Sequence, residues 1–191
     1  MNASSTRRTA ILVPLLVTLV LGCGYNTIQT LDEQVNQAES QIKVQLQRRA
    51  DLIPNLVETV KAYAKQEQTI FTQVAEARAK LAGAVQRGDV SQMAQANQEV
   101  TTALGWLLAI VENYPQLKSN ENFRALQDQL EGTENRIAVS RQDYNEAVNR
   151  HNAYIRRFPQ VLTAKILGKN ARPYFELSPG AAEAPRVDFS R

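Results

Sequence analysis

From Ile28 onward, apolar residues recur at three- and four-residue steps through Leu31, Val35, Ala38, Ile42, Leu46, Ile53, Leu56, Val60, Ala64, Phe71, Val74 and Leu81. That spacing gathers them on one face of an amphipathic helix, or of two helices in series. Run straight from Asn26 to Ala82, such a helix would be about 85 Å long at 1.5 Å per residue, far beyond a usual globular helix. The expected hinge is the stretch Gln45 to Val60, which carries Arg48, Arg49, Asp51 and Pro54 in quick succession. Pro54 has no N–H for the carbonyl of Ala50. Either the helix continues with a kink, or Asp51 caps a fresh helix whose first turn accepts the proline.

Gly83 and then Arg87-Gly88-Asp89 offer a stop, a turn and an N-cap. The next helix, roughly Val90 to Asn113, places Met93, Val100, Leu104, Leu107, Leu108 and Val111 on one broad face, and Asn113-Tyr114-Pro115 ends it. A third helix opens near Asn120 and keeps the cleanest stripe in the chain, through Phe123, Leu126, Leu130, Thr133, Ile137, Ser140, Tyr144, Ala147, His151, Tyr154 and Phe158. Pro159 closes it. A short apolar piece from Val161 to Leu167 follows, and the tail from Arg172 reads as extended or disordered.

Short loops near 83–89 and 114–120 make consecutive helices antiparallel. The fold class is therefore all-α: an elongated up-and-down antiparallel helical bundle with a long kinked first helix, a short C-terminal helix and an extended tail. Helix lengths leave two arrangements for residues 26–50. On a continuous first helix they project as a stalk, with Ile28, Leu31 and Val35 exposed for self-association or a partner helix. If the chain reverses at the hinge, they form a fourth helix and the stripe becomes core. The projecting stalk is the favoured expectation, giving 1–22 as signal or anchor, 23–50 as stalk, 51–168 as bundle and 169–191 as tail.

The N-terminus adds a cellular address. Arg7 and Arg8 precede an apolar run from Ala10 to Leu21, followed by Gly22-Cys23-Gly24. The run is about a dozen residues, short of the roughly 20 that span a bilayer, so it reads better as an export signal than as a transmembrane helix. Val20-Leu21-Gly22-Cys23 resembles the lipobox of bacterial lipoproteins, which makes Cys23 the candidate lipidation site. An uncleaved membrane anchor is the alternative. Either address faces the bulk of the chain outward from the cytoplasm.

Composition and charge narrow the chemistry. The chain carries one cysteine and one histidine, so neither an internal disulfide nor a Cys/His zinc set can be assembled. Its net charge of +3 owes two charges to Arg7 and Arg8, leaving 20 basic against 19 acidic residues beyond residue 22. No basic run remains to track a phosphate backbone, and nucleic acid is not an expected partner. No nucleophile elbow, phosphate loop or HExxH helix is present, so no enzymatic activity and no cofactor are expected. His151 reads as an interior or boundary histidine on the third helix's apolar stripe, and Tyr114, Tyr144 and Tyr154 as core aromatics with their hydroxyls at the edge.

Two polar clusters stand apart. Arg48, Arg49, Asp51 and Asn55 surround the turn where Pro54 frees a carbonyl, and Gly132 in mid-helix allows close backbone approach beside Glu131, Glu134, Asn135 and Arg136. One reading makes them a polar seam that satisfies the hinge and fixes helix register. The other makes them a docking surface whose arginines offer bidentate partners to carboxylates.

Gln45-Leu46-Gln47-Arg48-Arg49-Ala50-Asp51-Leu52-Ile53-Pro54-Asn55-Leu56-Val57, Glu112-Asn113-Tyr114-Pro115, Leu130-Glu131-Gly132-Thr133-Glu134-Asn135-Arg136-Ile137, Asp143-Tyr144-Asn145 and Pro173-Tyr174-Phe175 together resemble the LemA family. The resemblance covers nearly the whole chain beyond Cys23. It implies an all-helical bundle on an N-terminal membrane anchor, outside the cytoplasm, with no enzyme activity assigned. Cys23 after a short apolar run departs from the full transmembrane helix common in the family. The expected function is that of a non-enzymatic, membrane-tethered helical scaffold or interaction protein of the bacterial cell envelope. A regulatory or adaptor subunit of a membrane protease or transporter is the alternative.

Overall fold

A computed structural model describes residues 3–176, with side chains from Gly24 onward. Six helices follow in order: α1 (Ala3–Lys61), α2 (Gln68–Arg87), α3 (Val90–Val111), α4 (Pro115–Lys118), α5 (Glu121–Ile155) and α6 (Gln160–Ile166). The fold is all-α. Among the described residues no helix is long and apolar enough to cross a membrane. The lipidation candidate Cys23 and the tail beyond residue 176 lie outside the residues whose side chains are described.

The first helix neither restarts at Asp51 nor continues to Ala82. It stays helical through Pro54 and ends at Lys61, so the reversal comes at residues 62–67. Asp51 sits mid-helix, where its carboxylate accepts from Gln47 Nε2 at 2.9 Å. Nothing local announces the reversal, because this connection contains no glycine or proline and the apolar period passes through it from Val60 and Ala64 to Phe71 and Val74. Doubling back gives α2's stripe a surface to bury against, and Phe71, Val74 and Leu81 are all buried. Arg78 of α2 lies beside Ala50, and Gly88 lies beside Lys43, so the two helices run antiparallel.

Later junctions obey local rules. Gly88 takes a left-handed φ of 69° that favours glycine, and its N–H bonds the carbonyls of Ala84 and Val85. Asp89 caps α3 by accepting from Gln92 N, and Asn120 caps α5 by accepting from Phe123 N. Gly83, expected to be a stop, lies inside α2.

α5 decides the fate of the expected stalk. Asn120 reaches Tyr63, Glu134 meets Arg49, and His151 faces Asp32, so α5 runs antiparallel along α1 from the reversal back toward residue 24. Ile28, Val35, Ala38, Ile42 and Leu46 are buried. Residues 26–50 therefore do not project. The stripe through Ile28, Leu31 and Val35 is the inside of this chain rather than a free seam for a second copy, and Leu31 itself sits half-exposed at its edge. The later half of described α1, with α2, α3 and the first half of α5, makes an up-down-up-down bundle. Its earlier half pairs with the rest of α5 under α6, where Ile28, Ile155 and Ala164 form a small separate core. Phe158 lies beyond the end of α5 and is 81% exposed, so the third stripe stops short of it.

Candidate functional site

Arg49 is the point at which three helices meet. It follows Leu46 by three residues and precedes Ile53 by four, which places its Cα on the buried side of α1. Its side chain is only 5% exposed. Nη1 donates to Asn97 Oδ1 of α3 and lies 2.7 Å from Glu134 Oε2 of α5, while Nη2 donates to Thr101 Oγ1 at 3.0 Å. Burial pulls the guanidinium's pKa below its ordinary value, and the Glu134 carboxylate pulls it back up. Two of its three nitrogens are matched, while Nε is buried without an acceptor among the described residues, so the charge is held by the Nη1 and Nη2 contacts and the Glu134 carboxylate.

The carbonyl that Pro54 leaves without an intrahelical donor is satisfied across the bundle. Arg78 Nε of α2 donates to Ala50 O at 2.9 Å. Proline thus creates an acceptor, and α2 supplies the charge-assisted bond that ties the hairpin to it. The sequence shows the orphan carbonyl but not its partner, since a donor 28 residues away becomes a neighbour only after the chain reverses.

The two sequence clusters are brought together through Arg49 and Glu134 alone. Arg48 and Asp51 line a shallow groove between α1 and α2 with Lys43, Val44, Leu52 and Val85. Asn55 is exposed, and its carbonyl accepts from Thr59. Glu131, Glu134 and Arg49 instead line a cleft of about 290 Å³ between α1, α3 and α5, whose walls include Leu56, Leu104, Leu108 and Leu130. Asn135 and Arg136 are exposed on α5. Gly132 provides no close backbone approach, because a Cβ there would meet only Arg136 Nη2, at 3.5 Å. Gly132→Ala is therefore expected to raise stability by roughly 0.5–1 kcal/mol through helix propensity, measured by urea unfolding; a loss of stability would mean that the glycine has a structural duty.

A second polar assembly escaped the sequence reading. Asp32 also lies on the buried stripe, four residues after Ile28 and three before Val35, and is 8% exposed. Its carboxylate accepts from Lys169 Nζ and from Arg172 Nε and Nη2, the last at 2.9 Å, and His151 Nε2 lies 3.8 Å away. Burial alone would raise the Asp32 pKa, but the hydrogen bonds and charges of Lys169 and Arg172 together outweigh it and hold the carboxyl below its ordinary range.

These cations belong to an extended strap, residues 169–175, laid along α5 and α1. Asn152 accepts from Arg172 N at 2.8 Å and donates to Arg172 O at 2.9 Å, and Asn145 makes the same pair with Phe175 N and O at 2.8 and 3.4 Å. Seven helical residues and three extended residues both span about 10 Å, so two asparagines seven apart meet two strap residues three apart in register. Tyr144 donates its hydroxyl to Pro173 O at 2.9 Å. Its pKa is pushed up to about 12, first by burial and then by the nearby Glu39 carboxylate, with Arg172 opposing. The described part of the expected tail is thus a fixed strap. A charged residue at a core register was the signal available in the sequence, at Asp32 as at Arg49.

No group of His, Cys, Asp and Glu side chains suited to holding a metal ion occurs among the described residues. Arg49 joins three helices and Asp32 holds the strap to α1, while Arg49 Nε, Glu134 Oε2 and His151 Nε2 are buried without a hydrogen-bond partner among the described residues. The family model of the LemA family matches residues 38–189 of the chain. The chain is similar to Magnetosome protein MamQ 2 and Magnetosome protein MamQ 1 of Paramagnetospirillum magneticum, each 28% identical over 198 residues that cover 92% of this chain and 72% of the relative. It is also similar to Magnetosome protein MamQ of Magnetospirillum gryphiswaldense, at 27% identity over 199 residues with the same coverage.

Proposed function

The chain belongs to the LemA family, and from that premise we propose that it is a non-enzymatic, membrane-tethered helical scaffold of the bacterial cell envelope, joined to the membrane at its N-terminus and offering its distal bundle to a partner protein. The observation that carries this reading is the continuity of α1. One helix runs through the N-terminal apolar stretch and becomes the central element of the bundle, so a tether there would orient everything else. The buried charge of Arg49 joins helices and that of Asp32 holds the strap to α1, which supports a structural role. The likeness to magnetosome proteins lends support to a part in membrane organisation.

The partner would dock at the cleft between α1, α3 and α5, where Leu56, Leu104, Leu108 and Leu130 lie beside Glu131 and the Arg49–Glu134 pair. Leu108 and Trp106 are both partly exposed there or beside it. Leu108→Glu is expected to cost no more than about 1 kcal/mol, because the side chain is already part-solvated and Glu keeps helix propensity. The full-length variant, purified from detergent-solubilised membranes, is expected to lose the envelope proteins that accompany the unaltered chain. Retention of all of them would overturn the cleft as the docking face. Loss of one stoichiometric partner with protease or transport activity would favour an adaptor over a general scaffold.

A further inference from the structure

At the end of the molecule nearest the N-terminal apolar stretch, four large apolar side chains face solvent together. Phe158, Leu162 and Ile166 are 81%, 47% and 72% exposed, and Tyr25 is 46% exposed. The i, i+4 spacing of Leu162 and Ile166 puts both along one side of α6, and Phe158 lies in the turn just before its start. The opposite side of α6 is held by the protein, with Thr163 and Ala164 buried and Ala164 packed on Ile28 and Ile155. A Cβ added at Gly24 would come within 3.2 Å of Gln160 Cγ, so α6 sits tightly against α1.

The charges of the α6 segment have one sign. No acidic residue occurs between 147 and 175, and Arg156, Arg157 and Lys165 are exposed around the apolar side chains. Lys169 and Arg172 are already committed to Asp32. Apolar residues flanked by unopposed cations have the composition of a segment that lies in a bilayer interface.

Position supplies the rest. Gly24 to Ile28, on which α6 rests, begin three residues beyond Leu21, the last residue of the apolar run, or about 5 Å along a helix at 1.5 Å per residue. The run's dozen residues cover about 18 Å, less than the roughly 30 Å of a bilayer's hydrocarbon core, so inserting it brings α6 to the headgroups. A lipid on Cys23 would bring it to the same level.

We propose that α6 is an interfacial membrane-docking element: Phe158, Leu162, Ile166 and Tyr25 enter the headgroup and upper acyl region of an anionic bilayer while Arg156, Arg157 and Lys165 bind lipid phosphates. The inference rests on the membrane-tethered reading above and adds a second contact that fixes the bundle's angle to the membrane.

The test uses the full chain reconstituted in vesicles with brominated lipid chains and an anionic lipid fraction. Leu162→Trp in a Trp106→Phe background reports on α6, and Ile166→Trp serves as an independent second probe. Trp106 of the unaltered chain is the reference, because its neighbour Gly105 lines the cleft with Leu56, about 45 Å along α1 from Tyr25. Leu162→Trp is expected to lose on the order of half its emission to the brominated lipid, as for a ring at the acyl boundary, with Trp106 unaffected. Arg156→Glu with Arg157→Glu is expected to reduce that quenching in anionic vesicles. A chain that floats with the vesicles while both α6 probes stay unquenched overturns the docking element and leaves the tether standing. Equal quenching of Trp106 and the α6 probes also overturns it, since the bundle would then be lying on the membrane without preference for this end. A chain that fails to float removes the tether and the docking element together.

Discussion

Arg49→Ala is expected to destabilise the bundle by roughly 2–4 kcal/mol, whereas Arg48→Ala, one residue earlier, is expected to change stability by less than about 0.5 kcal/mol. The difference follows from where each side chain ends. Arg48 is exposed on the α1/α2 groove. Arg49 is buried and joined to Asn97 and Thr101 of α3 and to Glu134 of α5. Removing it strips matched partners from two other helices and leaves a void beneath the cleft, so the cost combines lost charge-assisted bonds with lost packing. Glu134→Ala should cost less, about 1 kcal/mol, because Glu134 is 45% exposed and water can replace part of what it supplies. Urea unfolding followed by circular dichroism separates these values. Equal effects at Arg48 and Arg49 would mean that the three-helix junction contributes nothing of its own.

Asp32→Asn is expected to release the strap. The substitution keeps the shape of the side chain but leaves Lys169 and Arg172 together without their anion. A local cost of roughly 2–3 kcal/mol is expected, discounted because both cations are partly exposed. Amide exchange at Arg172 and Phe175, whose N–H groups are held by Asn152 and Asn145, should then quicken roughly 30- to 150-fold, since each 1.4 kcal/mol is a factor of ten. The same bond predicts an acid dependence. Asp32's folded-state pKa lies below the ordinary 3.8, so its contribution is complete above that value and is lost as pH falls through the depressed one. Strap amides that remain protected in Asp32→Asn, or that open between pH 5 and 7 in the unaltered chain, would remove Asp32 from this role.

Arg49 and Asp32 also show how legible the site was. Both occupy positions at which the apolar period calls for a buried residue, yet a count of apolar residues passes over them and chooses Leu31 in place of Asp32. Charge at a core register is a readable sign that a partner exists. It does not say which partner, because Glu134 is 85 residues from Arg49 and Arg172 is 140 from Asp32 in the chain. The asparagines at 145 and 152 were still less visible, because their meaning depends on an extended segment lying beside them. Gly132 erred in the other direction: mid-helix glycine suggested a close approach, and the space around it is open.

The all-helical class, the turn at Gly88-Asp89, the start near Asn120 and the stop at Tyr114-Pro115 came from the sequence by itself, because each rests on residues within a few positions of one another, and the family resemblance came from short motifs of the same kind. The reversal at 62–67, the burial of the expected stalk and the strap were decided only by tertiary structure. An apolar stripe states that a face must be covered and carries no information about what covers it. From Ile28 to Leu81 the stripe is continuous, and a long helix, a stalk or a hairpin would display it equally. The hairpin prevails because doubling back at Lys61 covers the apolar face of α2, while α5, at 35 residues, is long enough to cover the rest of α1 down to Gly24.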